Sequence, residues 1–388
     1  MFDFETPLDR KQSYSRKWSK FQDKDILPLW IADSDYQTAP AVIDALHERV
    51  THGVFGYTDQ PTAEVQEAIV YHLKTQYNWD INPEWIVPLS SIVNGLTLSC
   101  WVAGEEGDEV ITPATIYPPF NFSISNTKRD AIRVPMKLDN TFEKERWILD
   151  FDALEASITE NTKLLLFCNP HNPGGGVYTQ AELEQLHTIC ERHNLLISSD
   201  EIHCDLILDK DKKHIPIASL NKDAAKRTIT LMAASKTYNI AGLGFGFAII
   251  ADDKLRRKFK QLVLSRMPEA NLLGQVATAA AFKNGEPWRL AQIEHLRKNR
   301  DYLMQKINAI PKLKMYPLES TYLAWIDVSN LKIKNIEAFF EAAGVGISAG
   351  VYFGDANFIR INFACSSKIL TGAVARIRTA IASNTFIG

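Results

Sequence analysis

Three polar side chains of complementary chemistry, Lys236, Asp200 and Asn172, each follow a short apolar run of this chain. The runs that precede them cover residues 163–168, 195–199 and 228–233. Near-continuous apolar runs of this length are typical of strands that helices cover on both faces. Because the carboxyl ends of parallel strands meet at one edge of a sheet, we expect an amine, a carboxylate and a carboxamide to converge there.

This combination suits a cofactor that carries an aldehyde and a pyridine ring. A lysine amine can form an imine with the aldehyde, a carboxylate can favour the protonated ring nitrogen, and a carboxamide can donate to a phenolic oxygen. Pyridoxal phosphate has all three groups. The pattern therefore predicts a pyridoxal phosphate site built from Lys236, Asp200 and Asn172.

Each of these residues also has a purely structural interpretation. A lone lysine past a strand end is usually a surface residue, Asp200 could cap a helix, and Asn172 could serve only the turn 169–176, which contains two prolines and three glycines. His203 could bond the same cofactor oxygen as Asn172, or it could be a buried histidine that is satisfied within the protein. No metal site is expected from residues 203–205, because neighbouring side chains diverge.

The bulk composition is that of an ordinary globular protein. The 388 residues are 46% hydrophobic and 23% charged, with a formal net charge of -3, so two domains are possible and a polyanion-binding class is excluded. We interpret the basic stretch 254–260 as a solvated helix face. Without an apolar leader or a run near the roughly eighteen residues that a span needs, we expect a cytoplasmic protein. The five cysteines form no CxxC pair, which predicts reduced thiols.

Strand-like and helix-like segments alternate through the middle of the chain. The predicted strands are 109–111, 163–168, 195–199, 228–233 and 245–250, and the clearest helix between them is 180–193. This alternation predicts an α/β fold with a mostly parallel sheet sandwiched by helices, in a large domain that we place at residues 45–280. Residues 1–44 and 281–388 are assigned to a smaller α+β domain. Its predicted elements are a helix at 288–307 and strands at 322–326 and 358–362.

The motifs and their order resemble the class I/II aminotransferase superfamily, which has pyridoxal phosphate fold type I. Within it the chain is similar to the MalY/PatB group of cystathionine β-lyases and C-S lyases. The motifs that carry the resemblance are LWIAD (29–33), HGVFGY (52–57), YPPF (117–120), NPHNP (169–173), SDEIH (199–203), SKTYN (235–239), and FGD (353–355) followed by RIN (360–362). The resemblance implies a lyase that breaks the Cβ–S bond of an L-cysteine derivative and releases pyruvate, ammonia and a sulfur product.

The resemblance also implies a cofactor role for several matching residues. Lys236 would bind the cofactor covalently and then act as the base at Cα, Asp200 would pair with the pyridine nitrogen, and Asn172 would bond the phenolic oxygen. Tyr117 would stack on the ring, and His203 and Ser235 would complete the site. Backbone N–H groups of Ile92, Val93 and Asn94, before a helix that begins at Gly95, would hold the phosphate.

Substrate and partner roles follow from the same resemblance. Arg360 would clamp the substrate α-carboxylate with two parallel bonds, and Ala32 and Asn172 would also contact the substrate. Tyr57 would reach the phosphate of the neighbouring subunit, which implies a homodimer with composite active sites.

Several positions depart from the pattern of the family. Gly244 stands where aminotransferases of the group often have a phosphate-binding arginine, and Ala233 where many have serine, and both favour the lyase branch. Ser34, Gly176 and Ser366 also depart, and Ser34 is expected near the substrate entrance, so these bear on substrate identity. Two alternatives stay open: an aminotransferase and, less favoured, a regulatory or binding protein with the same fold.

Overall fold

Strands and helices alternate along the chain in the computed structural model, which describes residues 2–140 and 145–383. In these ranges the strands are β1 (Leu27–Pro28), β2 (Ile86–Leu89), β3 (Glu109–Pro113), β4 (Asp130–Val134), β5 (Met136–Asp139), β6 (Arg146–Leu149), β7 (Thr162–Cys168), β8 (Leu196–Asp200), β9 (Thr228–Met232), β10 (Gly246–Ile249), β11 (Lys314–Met315), β12 (Leu323–Asp327), β13 (Val345–Gly346), β14 (Ser348–Ala349) and β15 (Phe358–Asn362). The α-helices are α1 (Arg16–Ser19), α2 (Pro40–His52), α3 (Ala63–Tyr77), α4 (Ile92–Ala103), α5 (Pro119–Asn126), α6 (Phe151–Ala156), α7 (Gln180–Arg192), α8 (Lys222–Arg227), α9 (Asp253–Arg266), α10 (Leu272–Asn284), α11 (Glu286–Asn308), α12 (Ile336–Ala342) and α13 (Ser367–Ala382).

The central sheet has seven strands in the order β2-β10-β9-β8-β7-β3-β4. The strands from β9 to β4 run parallel, whereas β10 is antiparallel to both of its neighbours. The five strands that we predicted from apolar runs are confirmed, with ends that shift by at most two residues. The mostly parallel sheet of the predicted α/β class is therefore present.

Helices cover both faces of this sheet. Leu164 and Leu166 of β7 pack in the same cluster as α4, whereas Leu165 and Phe167 pack in the cluster that contains α7. This alternation explains why the strand is apolar throughout, since successive side chains point to opposite faces. Gly95 lets α4 approach the sheet closely, because a Cβ atom there would lie 2.7 Å from a methyl group of Leu231.

A second sheet is built from the carboxyl-terminal third of the chain. Its antiparallel strands have the order β11-β12-β15-β14, and the predicted helix at 288–307 is confirmed as α11. Strand β1 pairs in parallel with β13, which attaches the amino-terminal segment to this part of the molecule. The assignment of residues 45–280 to the large domain, with 1–44 and 281–388 in the small domain, stays a prediction.

The cysteines and the basic stretch follow the expectations from composition. All five cysteines are buried and free, as predicted for reduced thiols. The basic stretch 254–260 lies on α9, and its lysines are exposed. Among the helices of the described residues, none has the length and apolar character needed to cross a membrane.

Candidate active site

The carboxyl ends of the parallel strands form one wall of a cavity of about 160 Å³. Asn172 lies in the turn after β7, Asp200 is the last residue of β8, and Lys236 lies four residues beyond β9. All three side chains line this space, which we call the cofactor cavity. Residues of the predicted site that line it are Ala32, Ile92, Val93, Tyr117, Asn172, Asp200, His203, Ser235 and Lys236. The predicted convergence is therefore present.

Asp200 is a buried carboxylate with little internal support. Its Oδ1 accepts one hydrogen bond, from the backbone N–H of Ile202 at 3.1 Å. Burial raises the pKa of this carboxyl to about 7. The helix-cap interpretation is wrong, because β8 ends at Asp200 and a turn follows it rather than a helix. A buried anion of this kind suits a cationic partner inside the cavity.

Lys236 is half-buried and lines the cavity, so the surface-lysine interpretation is also wrong. Its Nζ donates to the backbone oxygen of Ala32 at 2.9 Å. Burial and the nearby positive charge of Arg360 lower the pKa of the amine to about 8. An amine with this pKa is partly unprotonated near neutral pH, which both a nucleophile and a general base require.

The turn after β7 is held rigidly and orients Asn172. The Asn172 Oδ1 accepts a hydrogen bond from Arg360 Nη1 at 3.0 Å, which leaves the amide N–H group for another acceptor. Gly175 adopts φ +70°, and a Cβ atom there would collide with the side chain of Leu318. His171 accepts from the Gly174 N–H at 3.2 Å, so the turn also closes on itself.

Arg360 enters the site from β15 of the second sheet. Its Nη2 donates to the Trp30 backbone oxygen at 3.0 Å, and its guanidinium carbon lies 4.5 Å from the ring centroid of Phe353. Burial lowers the pKa of this guanidinium to about 10, and its Nε has no hydrogen-bond partner in the described part of the chain. A buried guanidinium with an unused donor is suited to a carboxylate ligand.

His203 lines the cofactor cavity beside Asp200. Its Nδ1 is buried and lacks a hydrogen-bond partner within residues 2–140 and 145–383, so the satisfied-histidine interpretation does not hold for this atom. Burial, together with the charges of Lys236 and Arg360, lowers the pKa of the imidazole to about 3. The ring is therefore neutral, and one of its nitrogens can donate to a bound oxygen.

Helix α4 points its amino terminus at the same cavity. It begins at Ile92 and not, as we expected, at Gly95, because Ser91 caps it by accepting from the Asn94 N–H at 3.2 Å. That bond occupies Asn94, whereas the N–H groups of Ile92 and Val93 have no hydrogen-bond partner among the residues that the structure describes. Such a helix start is a ready anion site.

Sequence reasoning missed the two serines before this helix. Ser90 and Ser91 both line the cofactor cavity, and Ser90 Oγ accepts from the Asn94 amide at 2.8 Å. The signal was present, since serine directly after an apolar strand and before an apolar helical run is a common helix cap.

A network that positions Ala32 was also missed. Asn362 donates to the backbone oxygens of Ile31 at 2.6 Å and Asp33 at 2.8 Å. Arg10 bonds Asp33 from the other side, with an Nη1 to Oδ1 distance of 2.8 Å. These contacts fix the strap of residues 30–33, whose backbone oxygens bond Arg360 and Lys236.

Ser34 and Tyr57 do not line this cavity, and Tyr57 was expected at the cavity of the partner subunit. Ser34 is 1% exposed and does not line the cofactor cavity, so the expectation that it lies near the substrate entrance is not confirmed. The reason is that its segment is pulled into the protein, where Arg10 and Asn239 both donate to the Ser34 backbone oxygen. Tyr57 is fully exposed and does not reach the cavity of its own chain.

Gly176 and Gly244 also have structural explanations. A Cβ atom at Gly176 would lie 2.6 Å from the Trp147 backbone oxygen, so a larger residue would require β6 to move. Gly244 lines the cofactor cavity with φ +62°, a conformation that side-chain-bearing residues rarely adopt.

An α/β sheet whose edge presents a lysine, a buried carboxylate, a carboxamide and a helix start defines a cofactor-dependent enzyme scaffold. The chain belongs to the aminotransferase class I and II family, whose model matches residues 24–377. It is 32% identical to the cystathionine β-lyase PatB of Bacillus subtilis, over 98% of this chain and 100% of the relative.

The chain is also similar to solved structures over nearly its whole length. The structure of OvoB is 42% identical, with a TM-score of 0.94 over 98% of this chain and 100% of that one. Cystalysin from Treponema denticola, which contains pyridoxal 5'-phosphate, is 32% identical, with a TM-score of 0.93 over 99% of this chain and 100% of that one. The resemblance to the PatB group, predicted from seven motifs, is confirmed.

Proposed function

We propose that this protein is a pyridoxal phosphate-dependent carbon–sulfur β-lyase that acts on an L-cysteine derivative. The observation that carries the proposal is the convergence of Lys236, Asp200 and Asn172 on one cavity, with Arg360 bonded to Asn172. The relatives support the reaction type, since PatB is a cystathionine β-lyase. We place the enzyme in the cytoplasm, in keeping with its free buried cysteines.

The residues of the cavity fit pyridoxal phosphate group by group. The carboxylate of Asp200, with its single hydrogen bond, suits the cationic ring nitrogen. His203 Nδ1 and the Asn172 amide N–H, which have no partner in the described part of the chain, suit the phenolic oxygen. Tyr117 offers a ring face for stacking. The N–H groups of Ile92 and Val93, with the Ser235 hydroxyl, would hold the phosphate. These sites are close together because they all follow strands that end at the same edge.

When bound, the cofactor supplies an electron sink next to the substrate Cα. Arg360 would hold the α-carboxylate, and Asp200, which the cationic ring nitrogen would keep ionised, would favour the protonated ring. Lys236 removes the Cα proton as a general base, a role that its pKa of about 8 allows. The Cβ–S bond then breaks with its electron pair on sulfur, and water converts the remaining three-carbon fragment to pyruvate and ammonia.

Product analysis separates this reaction from that of an aminotransferase. Purified enzyme with cystathionine, S-alkyl and S-aryl cysteines and a cysteine sulfoxide conjugate should release pyruvate and a sulfur product without an added keto acid. An aminotransferase would instead need a keto acid and would leave the carbon–sulfur bond intact. No turnover of any amino acid, under conditions where the cofactor is bound, would favour the regulatory protein.

We also propose a homodimer in which Tyr57 contacts the phosphate held by the partner. The run from Thr51 to Tyr57 is exposed throughout, and Val54 and Phe55 are 61% and 56% exposed. Apolar side chains grouped on a short loop are typical of an interface. Gly244 offers the phosphate no side chain, which leaves room for a contribution from another subunit.

Complementation tests this composite site. Lys236→Ala and Tyr57→Ala, each impaired alone, should regain a fraction of wild-type activity when unfolded together and refolded, because a hybrid dimer has one site with both residues intact. Mixed dimers, shown by differently tagged subunits, that stay as inactive as their parents would place Tyr57 outside the site.

A further inference from the structure

A second cavity adjoins the cofactor cavity on the side of Arg360. This outer cavity has a volume of about 560 Å³, and its lining includes Arg16, Lys20, Trp30, Tyr117, Glu337 and Arg360. Tyr117 lines both cavities, and Arg360 of the outer cavity bonds Asn172 of the inner one. A substrate whose α-carboxylate is bound by Arg360 therefore has room to extend its sulfur substituent into the outer cavity.

The charged side chains around the outer cavity differ in whether the protein supplies a partner for them. Lys20 Nζ bonds Glu337 at 2.9 Å and Glu341 at 3.1 Å, so its charge is matched within the protein. Glu337 also accepts from the Tyr352 hydroxyl at 2.8 Å. Arg360 is already assigned to the α-carboxylate.

Arg16 is the exception. Its guanidinium has no hydrogen bond or ion pair with any residue in the described ranges, and its nearest aromatic contact is Trp30, at 6.0 Å from the ring centroid. The neighbouring residue Lys17 is fully buried and bonds Asp35 at 2.8 Å, which anchors α1 and holds Arg16 at the rim. A guanidinium without a protein partner, beside a substrate-sized cavity, is available to an anion.

Most of the other residues that line the outer cavity are apolar. They include Trp30, Pro119, Phe122 and Phe353, and Phe122 is 59% exposed. Aliphatic or aromatic carbon can pack on this wall, and an anionic end group can pair with the exposed guanidinium of Arg16, which is otherwise left to solvent. The cavity is thus matched to a carbon chain that ends in an anion.

We propose that Arg16 binds a carboxylate on the leaving group, and that the preferred substrates are S-substituted L-cysteines whose sulfur substituent is acidic. This inference rests on the proposed function, because it assigns the outer cavity to the substituent on sulfur. A guanidinium can meet a carboxylate with two parallel N–H donors, which an ammonium cannot do. Arg16 is then a specificity residue that acts far from the reacting atoms.

A matched pair of substrates tests the assignment. S-(2-carboxyethyl)-L-cysteine and S-propyl-L-cysteine have the same chain length and differ in a terminal carboxylate or methyl group. Wild-type holoenzyme should prefer the acidic substrate by about three- to fivefold in kcat/KM, the upper end for an ion pair with an exposed side chain. Arg16→Gln should remove this preference while the propyl substrate changes less than about twofold, and Arg16→Lys should restore part of it. Lys24→Gln removes an exposed charge outside the cavity and should change neither value.

Binding without turnover separates this inference from the lyase assignment. L-2-aminopimelate and L-2-aminoheptanoate replace the sulfur by carbon and cannot be cleaved, so calorimetry with holoenzyme gives their Kd values directly. Tighter binding of 2-aminopimelate that is lost in Arg16→Gln supports the role of Arg16 even if no cysteine derivative is cleaved. Equal Kd values, binding of neither analogue, or a preference that survives Arg16→Gln would overturn the proposal.

Discussion

Two buried aspartates that lie five residues apart have opposite environments. Asp200 accepts one backbone hydrogen bond, and burial raises its pKa to about 7. Asp205 bonds His72 Nε2 at 3.0 Å and accepts from the Tyr77 hydroxyl, with Arg289 nearby. Burial acts to raise the pKa of Asp205 as well, but these partners outweigh it and hold the pKa well below its usual range.

The comparison separates the Asp205 region, where protein groups satisfy the carboxylate, from the Asp200 region, where the carboxylate lacks partners that a ligand can supply. The surroundings of Asp205 satisfy it with protein groups, so its network serves the fold. The surroundings of Asp200 leave it poorly compensated beside the unpartnered nitrogen of His203. A stable protein keeps such groups buried where a ligand supplies the missing partners.

Among the residues of the cofactor cavity, removal of Lys236 should have the largest effect on activity. Lys236→Ala should lower kcat by at least about 10²- to 10⁴-fold, because the general base is lost along with the covalent attachment of the cofactor. Mass spectrometry after borohydride reduction should detect no cofactor on the variant. Lys254→Ala, an exposed lysine of α9, is the control, and comparable activity in both variants would refute the assignment.

The next largest effect should appear in the stability of the cofactor-free protein. Because the folded pKa of Asp200, about 7, lies above its ordinary value of 3.8, the folded state holds the proton more tightly than the unfolded chain does. Asp200 thus lowers stability progressively as the pH rises from about 4 through 7. Asp200→Asn removes this penalty, so urea unfolding should show a gain on the order of 4 kcal/mol at pH 8 and none at pH 4.

The same substitution should damage function. A neutral amide cannot favour the protonated ring nitrogen, so Asp200→Asn should retain some cofactor and turn over slowly. A variant that is less stable than wild type at pH 8, or fully active, would make Asp200 a structural residue.

Substitution of Asp205 should have the opposite effect on stability. Asp205→Asn should reduce the free energy of unfolding by about 1.5–3 kcal/mol at pH 7, the contribution of hydrogen bonds to a charged group. This stabilisation is present above the ordinary pKa of Asp205, so the deficit should shrink as the pH falls below about 4. The cofactor absorbance and kcat should remain those of wild type. A loss of cofactor without a loss of stability would place Asp205 in the active site.

The effect of an Arg360 substitution should be similar in size to that of Asp205→Asn, but it should appear in substrate turnover and not in stability. Arg360→Lys keeps the charge but loses one arm of the fork, which should lower kcat/KM roughly ten- to a hundredfold, or about 1.5–3 kcal/mol. The cofactor absorbance should not change, because the predicted ligand is the substrate carboxylate. An unchanged kcat/KM would move the carboxylate site elsewhere.

The sequence predicted the elements whose signals are local. Apolar runs located the strands that end near Asn172, Asp200 and Lys236, and the order of those runs predicted their convergence. The start of α4 was misplaced because Gly95 looks like a helix boundary, whereas tertiary packing against Leu231 requires the glycine inside the helix.

Other features have no local signal at all. The burial of Ser34 depends on Arg10 and Asn239, which are distant in the chain. Likewise, residue type does not predict which backbone oxygen accepts a hydrogen bond from Lys236, because every residue has a backbone oxygen. Only the folded arrangement of residues 30–33 reveals that contact.

The strap of residues 30–33 has a consequence for how this scaffold can change over evolutionary time. It bonds Arg360 and Lys236 through the backbone oxygens of Trp30 and Ala32, while the Trp30 side chain faces the outer cavity. Mutation can replace a side chain but leaves the peptide oxygen in place. If the outer cavity accepts the sulfur substituent as proposed, a substitution at position 30 changes its wall and the indole bond to the Lys17 backbone oxygen, but leaves the peptide oxygen that bonds Arg360 in the chain.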